Sequence, residues 1–313
     1  MDRILYWLAL AVVRTLQALP LRAVARIGRG GGALAFLLDK RHRRVALRNL
    51  AKCFPEKSSA EVHRIARENF RRIGENFACA IRTSSSSRQE IDSILEVGGV
   101  EKLRFPQPGL PAESRIVAVG HFGNFELFPH CFLSASGYHF ATTFRAFKPP
   151  SINRLFQDLR KESGCHFFER RTEGDALKEA LNRGGLLLGL FSDQHAGDRG
   201  LKLPFFGEDC STSAAPAVLA LRYGCPLFTA MCYRKELAKW RVEVGDEIPT
   251  HRDGKARPVA EIMLDVNKAF ETAVRRDPAN WFWVHNRWKP GKARRGSGAR
   301  EVAEGGPNPV SAL

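Results

Sequence analysis

No stretch of this chain reaches the ~20 consecutive apolar residues that a helix needs to cross a bilayer. The longest clean run, residues 4–13, stops at Arg14. A secretory leader is also poorly matched, because Asp2 sits beside Arg3 and no small-residue cleavage site follows the run. Seven cysteines (Cys53, Cys79, Cys131, Cys165, Cys210, Cys225 and Cys232) are scattered, odd in number and never spaced Cys-x-x-Cys. That pattern argues against a disulfide framework or a zinc site and fits a reducing compartment. Acidic residues are in short supply, 33 against 49 Lys and Arg, leaving a net charge of +16. Such a surface attracts phosphate-rich partners: nucleic acid, an anionic membrane or an acidic carrier protein. No internal repeat is present, so a solenoid is not indicated.

At 313 residues and 44% hydrophobic content, the chain is long enough for one sizeable α/β unit with an N-terminal extension. The run 4–13 holds Tyr6 and Trp7 and is followed by Arg14, Pro20, Arg22, Arg26 and Arg29. Aromatics, leucines and arginines on one helix suit a segment lying in a membrane interface, with its arginines reaching the headgroups. The basic run 40–44 would then lie among anionic headgroups, each cation contributing about 1 kcal/mol. The alternative is an ordinary buried helix followed by a solvated charge run. Helical spacing continues to about residue 95, with Ser58 or Ser59 as an N-cap and Val62, Ile65, Ala66, Phe70 and Ile73 on one face.

Beyond residue 95 the pattern alternates. Strands are predicted at 115–119, 139–144, 165–168, 186–191, 226–232 and 240–244. Helices are predicted near 124–135, 151–162, 173–183, 213–223 and 258–276. Alternation of this kind predicts an α/β fold, a mixed central sheet flanked by helices. The expected division is 1–95 as a helical membrane-associating region, 96–288 as the α/β domain, and 289–313 as a disordered basic tail.

Chemistry concentrates at predicted strand ends. The run 117–119 stops at Gly120, and His121 and Glu126 follow five positions apart, with Gly123 and Asn124 between them. On a regular helix five residues turn through about 500°, so the two side chains would diverge by roughly 140°. They meet only if His121 stays in the loop and Glu126 lies about a turn into the next helix. The pair is then either an imidazole base held by a carboxylate, or a loop histidine beside a carboxylate that suits a helix N-terminus. Arg170 and Arg171 end another strand, as a phosphate clamp or as surface charge. Asp193, Gln194 and His195 end a third, as site residues or as turn and cap residues. Strands ending together at His121, Arg170 and Asp193 would converge on the sheet edge where α/β proteins bind ligands.

Several motifs in order carry a resemblance: Asn49-Leu50 with Cys53-Phe54-Pro55, then Gly120-His121-Phe122-Gly123-Asn124-Phe125-Glu126. Gly164-x-x-Phe167-Phe168-x-Arg170, Asp193-Gln194-His195-Ala196-Gly197 with Pro204-Phe205-Phe206-Gly207, and the segment 281–289 complete it. From about residue 5 to 289 the chain resembles the lipid A biosynthesis (late or secondary) acyltransferases, within the lysophospholipid acyltransferase superfamily. The resemblance implies a glycerolipid acyltransferase-like fold and an O-acyltransferase at the cytoplasmic face of the inner membrane. Such enzymes move a fatty acyl chain from acyl carrier protein or coenzyme A to a hydroxyl of a glycolipid, here a lipid A precursor. It implies His121 as general base oriented by Glu126, with no metal, no cofactor and no covalent enzyme intermediate. Asn124, Arg145, Arg170, Arg171, Asp193 and Gln194 are expected at the substrate site, the arginines on acceptor phosphate. Expected partners are acyl carrier protein, anionic membrane lipids and the glycolipid acceptor, and no nucleic acid. His195 departs from the aspartate common at that position. Relatives with similar motifs acylate phosphatidylinositol mannosides or lysophospholipids, so the motifs leave the acceptor open, and a non-catalytic membrane-binding relative is the other alternative.

Overall fold

The computed structural model describes residues 2–103, 113–131 and 137–289. Of the tail expected at 289–313, residues 290–313 lie outside them. Five helices come first: α1 (Asp2–Ala18), α2 (Leu21–Leu38), α3 (Lys40–Cys53), α4 (Ser59–Thr83) and α5 (Arg88–Ile94). Ser58 caps α4, its hydroxyl accepting from the Glu61 amide while the Glu61 carboxylate accepts from the Ser58 amide. This reciprocal arrangement satisfies two of the donors a helix start leaves free. Three breaks in the helical pattern, at Pro20, at Asp39 and at the loop before Ser58, separate the first four helices.

The α/β part then runs β1 (Leu95–Gly98), β2 (Arg115–Val119), α6 (Phe128–Cys131), β3 (His139–Phe144), α7 (Pro150–Arg160) and β4 (His166–Glu169). It continues with α8 (Gly174–Arg183), β5 (Leu186–Phe191), β6 (Leu201–Phe205), β7 (Glu208–Thr212), α9 (Ala215–Tyr223), β8 (Leu227–Glu236), β9 (Lys239–Val244) and α10 (Val259–Arg276). Seven strands form one mixed sheet in the order β1-β9-β8-β2-β5-β3-β4. All neighbours in it are parallel except the β8–β9 hairpin. Strand β2 is buried along its whole length, as a central parallel strand must be with both faces covered.

Two core layers flank the sheet. Ile116 and Ala118 face one layer, shared with Leu50, Phe54, Phe70, Val266 and Phe270. Val117 and Val119 face the other, shared with Val24, Ile91, Leu127 and Phe128. The N-terminal helices therefore contribute to the same cores as the sheet.

Differences from expectation are local. The helix predicted at 124–135 is a 3₁₀ turn, Phe125–Leu127, followed by the four-residue α6, with 132–136 outside the described residues. Strands β1, β6 and β7 were not predicted. The last two form a separate hairpin, in which Lys202, Pro204, Glu208 and Asp209 interrupt the apolar positions. Among the described residues no helix is long and apolar enough to cross a membrane.

Candidate active site

Parallel register assembles the site. Val119 pairs with Phe191, so positions two residues beyond each strand fall together, and these are His121 and Asp193. The Asp193 carboxylate accepts from the His121 amide through Oδ2 (2.8 Å), and its Oδ1 lies 2.8 Å from Nδ1 of the ring. Trp281 Nε1 donates to the same Oδ2 at 2.8 Å. Asp193 is 1% exposed. Burial alone would raise its pKa, but His121, through charge and hydrogen bonds, and the Trp281 donor bring it down to about 2. An ionised carboxylate on Nδ1 holds the tautomer with its proton there and leaves Nε2, on the opposite ring edge, as the basic nitrogen.

Three rings enclose the imidazole: Phe191 at 4.5 Å between centroids, Phe125 at 4.9 Å and Phe282 at 6.0 Å. His121 lines a cavity of about 890 Å³, together with the sheet residues Val117, Val119, Leu187, Gly189 and Phe191 that form its floor. That volume lies in the range of small-molecule sites.

The expected partnership of His121 with Glu126 is not what the structure contains. Glu126 lies in the 3₁₀ turn, and its carboxylate accepts from Arg160 Nε (3.1 Å) and Nη2 (2.5 Å). Arg160 in turn stands over the Phe167 ring at 4.9 Å. The turn is too short to bring position 126 back to the loop, whereas Arg160, ending α7, reaches it.

Arg145, Arg170 and Arg171 follow β3 and β4 and line the same cavity with Gln194, as the converging strand ends predict. Asn124 does not line it: its side chain is buried, its carbonyl accepts from the Leu127 amide and the Cys232 thiol, and its Nδ2 has no partner among the described residues. Cys165 also lines the cavity, but burial pushes its thiol up to about 12, far from a thiolate nucleophile.

Sequence reading missed Arg160, Arg199 and the role of the 281–288 segment. Trp281 and the residues after it stood in a quoted motif, yet nothing in the motif says what they touch. In the structure they grip the loop after β5. His285 Nε2 accepts from the His195 amide at 3.0 Å, and burial lowers the His285 pKa to about 4, so it is a neutral acceptor. Arg287, fully buried, donates to the Gln194 carbonyl and to Thr212 Oγ1 (3.1 Å). The segment is itself held by asparagine amides. Asn49 donates to the carbonyls of Trp283 (3.0 Å) and His285 (2.9 Å), and Asn69 to those of Ala279 (3.0 Å) and Trp281 (2.5 Å).

Against known proteins, a family model described as bacterial lipid A biosynthesis acyltransferase matches residues 1–290. The lipid A biosynthesis palmitoleoyltransferase of Escherichia coli (strain K12) is 24% identical over 295 residues, 91% of each chain. The lauroyltransferase of the same organism is 26% identical over 289 residues, again 91% of each. A phosphatidylinositol mannoside acyltransferase of Mycolicibacterium smegmatis is 25% identical over 177 residues, 55% of this chain and 56% of that one.

Proposed function

The chain belongs to the bacterial lipid A biosynthesis acyltransferases, and on that footing we propose that His121 is the general base of an O-acyl transfer oriented by Asp193. The reaction moves a fatty acyl chain from a thioester, on acyl carrier protein or coenzyme A, to a hydroxyl of a lipid A precursor. His121 Nε2 takes the hydroxyl proton as the oxygen attacks the thioester carbonyl. The tetrahedral intermediate collapses, the carbon–sulfur bond breaks, and the departing sulfur takes the proton from the imidazolium. Asp193 stabilises the imidazolium while it lasts, by the logic of a base held by a buried carboxylate. No enzyme nucleophile is needed.

The observation that carries this reading is the buried Asp193 carboxylate on Nδ1 of a histidine that lines the cavity. Arg145, Arg170, Arg171 and Arg199 at the mouth suit acceptor phosphate. Glu126 belongs to the site as the group that fixes Arg160 in the cavity wall. The basic surface suits an acidic carrier protein. Helices α1 and α2 leave Ile4, Trp7, Leu8, Ile27, Leu37 and Leu38 exposed, which suits binding in the membrane interface, on the cytoplasmic side. Likeness to a mannoside acyltransferase supports another glycolipid as the second acceptor reading.

The test is transfer of radiolabelled lauroyl groups from carrier protein to a tetra-acylated, Kdo-bearing lipid A precursor, with wild type and His121→Ala compared. A phosphatidylinositol mannoside and a lysophospholipid serve as competing acceptors. Transfer to the precursor that is lost in His121→Ala is expected. Transfer to a competitor alone would replace the acceptor, and transfer surviving in His121→Ala would remove the mechanism.

A further inference from the structure

Strand β5 is buried at Leu186, Leu187, Leu188 and Leu190 and opens at Gly189. Register places Gly189 between Val117 of β2 and Thr142 of β3, and Thr142 pairs onward with Phe167 of β4. All four line the cavity, so this row crosses its floor. On one side of the row stand Val119 and Phe191, beside His121. On the other stand Phe140 and Leu187. Each row is two residues from the next, about 7 Å along the strands.

Nothing local demands glycine here. Gly189 is not among the residues with positive φ, and a Cβ built on it meets only the Ala141 carbonyl oxygen, at 3.9 Å. A glycine inside a strand weakens it and commonly marks a place where something else approaches the backbone. Its effect is to leave one floor position without a side chain, between Val117 and Thr142 and one row deeper than Phe191.

The cavity is chemically divided. Arg145, Arg170, Arg171 and Arg199 follow the carboxyl ends of β3 and β4 and the β5 loop, at the mouth. Arg160 stands in the wall over Phe167 with its charge paired by Glu126, while Phe191, Val119, Val117, Leu187 and Phe140 make the sheet floor largely apolar. A thioester carbonyl placed at His121 has that largely apolar floor beside it, and an acyl chain extends along it with the least loss of hydration. Resting on the acyltransferase reading, we propose that Gly189 sets the depth of the donor's acyl channel. The chain passes Phe191 and Val119, crosses Gly189, and ends against Leu187 and Phe140. The charged acceptor headgroup stays at the mouth.

The experiment uses the full chain as wild type, Gly189→Ala and Gly189→Leu. Each is assayed with octanoyl, decanoyl, lauroyl, myristoyl and palmitoyl carrier proteins and one lipid A precursor. A leucine side chain on the floor should lower kcat/KM for the longest donors used by wild type by tenfold or more, as blocked methylenes do in a closed pocket, and spare the shortest by about the same measure. Alanine should shift the profile the same way by less. A uniform loss across donors in a variant with unchanged thermal midpoint, or an unchanged profile, overturns the proposal. So does a change that follows the acceptor's acyl chains and not the donor's. If the leucine variant does not fold, the alanine profile decides by the same criterion. Wild type inert with every donor would instead overturn the acyltransferase reading itself, and this proposal with it.

Discussion

Asp193 and Glu126 divide the work that spacing alone assigns to one carboxylate. Asp193 is buried on Nδ1 of His121, and Glu126 is held by Arg160. Asp193→Asn keeps the shape but removes the charge, and it can offer Nδ1 a hydrogen-bond donor that favours the wrong tautomer. We expect kcat to fall by roughly 10³–10⁴, by analogy with the carboxylate of a catalytic triad. Glu126→Gln and Arg160→Gln should each lower activity by a smaller factor, and the double variant should be no worse than the poorer single one. Non-additivity is the mark of two groups acting as one pair. Additive losses would show that Glu126 acts on something besides Arg160. The residues of both pairs stood in the sequence, except that Arg160 carried no motif. The pairing did not, because Asp193 lies 72 positions from His121, and only parallel register brings such positions together.

Helix α2 crosses α4 at glycines. A Cβ on Gly32 would lie inside van der Waals distance of the Phe70 carbonyl, and Gly28 and Gly74 approach each other just as closely. Gly30, on the same helix, faces open space. The two alanine substitutions therefore have opposite signs. Gly30→Ala should raise stability by about 0.5–1 kcal/mol through helix propensity. Gly32→Ala should lower it by about 1–3 kcal/mol, because backbone cannot move aside as a flexible side chain does. Denaturant midpoints of the two variants check this, and equal midpoints would contradict the close crossing. Helix α4 is also the strut of the site. Its buried Glu75 accepts from Arg29 (3.1 Å), Arg234 (2.9 Å) and the Ala238 amide (3.0 Å), tying α2 to the β8–β9 hairpin. The amphipathic pattern of α4 was legible from Val62, Ile65 and Phe70. Which glycine meets a neighbour was not, since helical glycines look alike until a second helix is placed.

For the whole molecule, the exposed apolar residues of α1 and α2 and the net charge of +16 predict binding to anionic vesicles that weakens with salt. Trp7→Glu with Leu8→Glu should reduce vesicle flotation severalfold while leaving the thermal midpoint unchanged, since both side chains are more than half exposed. Flotation unaffected by the double variant would move membrane contact elsewhere on the surface. At this scale the sequence by itself determined the fold class, the sheet with helices on both faces, and the strand ends at which His121, Arg170 and Asp193 gather. Apolar periodicity and the breaks around it are local properties, and they decide which segments become strands and where each one stops. The tertiary structure alone decided that Asp193 holds the histidine, that Glu126 holds Arg160, and that the 281–288 segment grips the loop after β5. It also exposed the open position at Gly189. These depend on register and on packing between distant segments, which a pattern of neighbours along the chain does not encode.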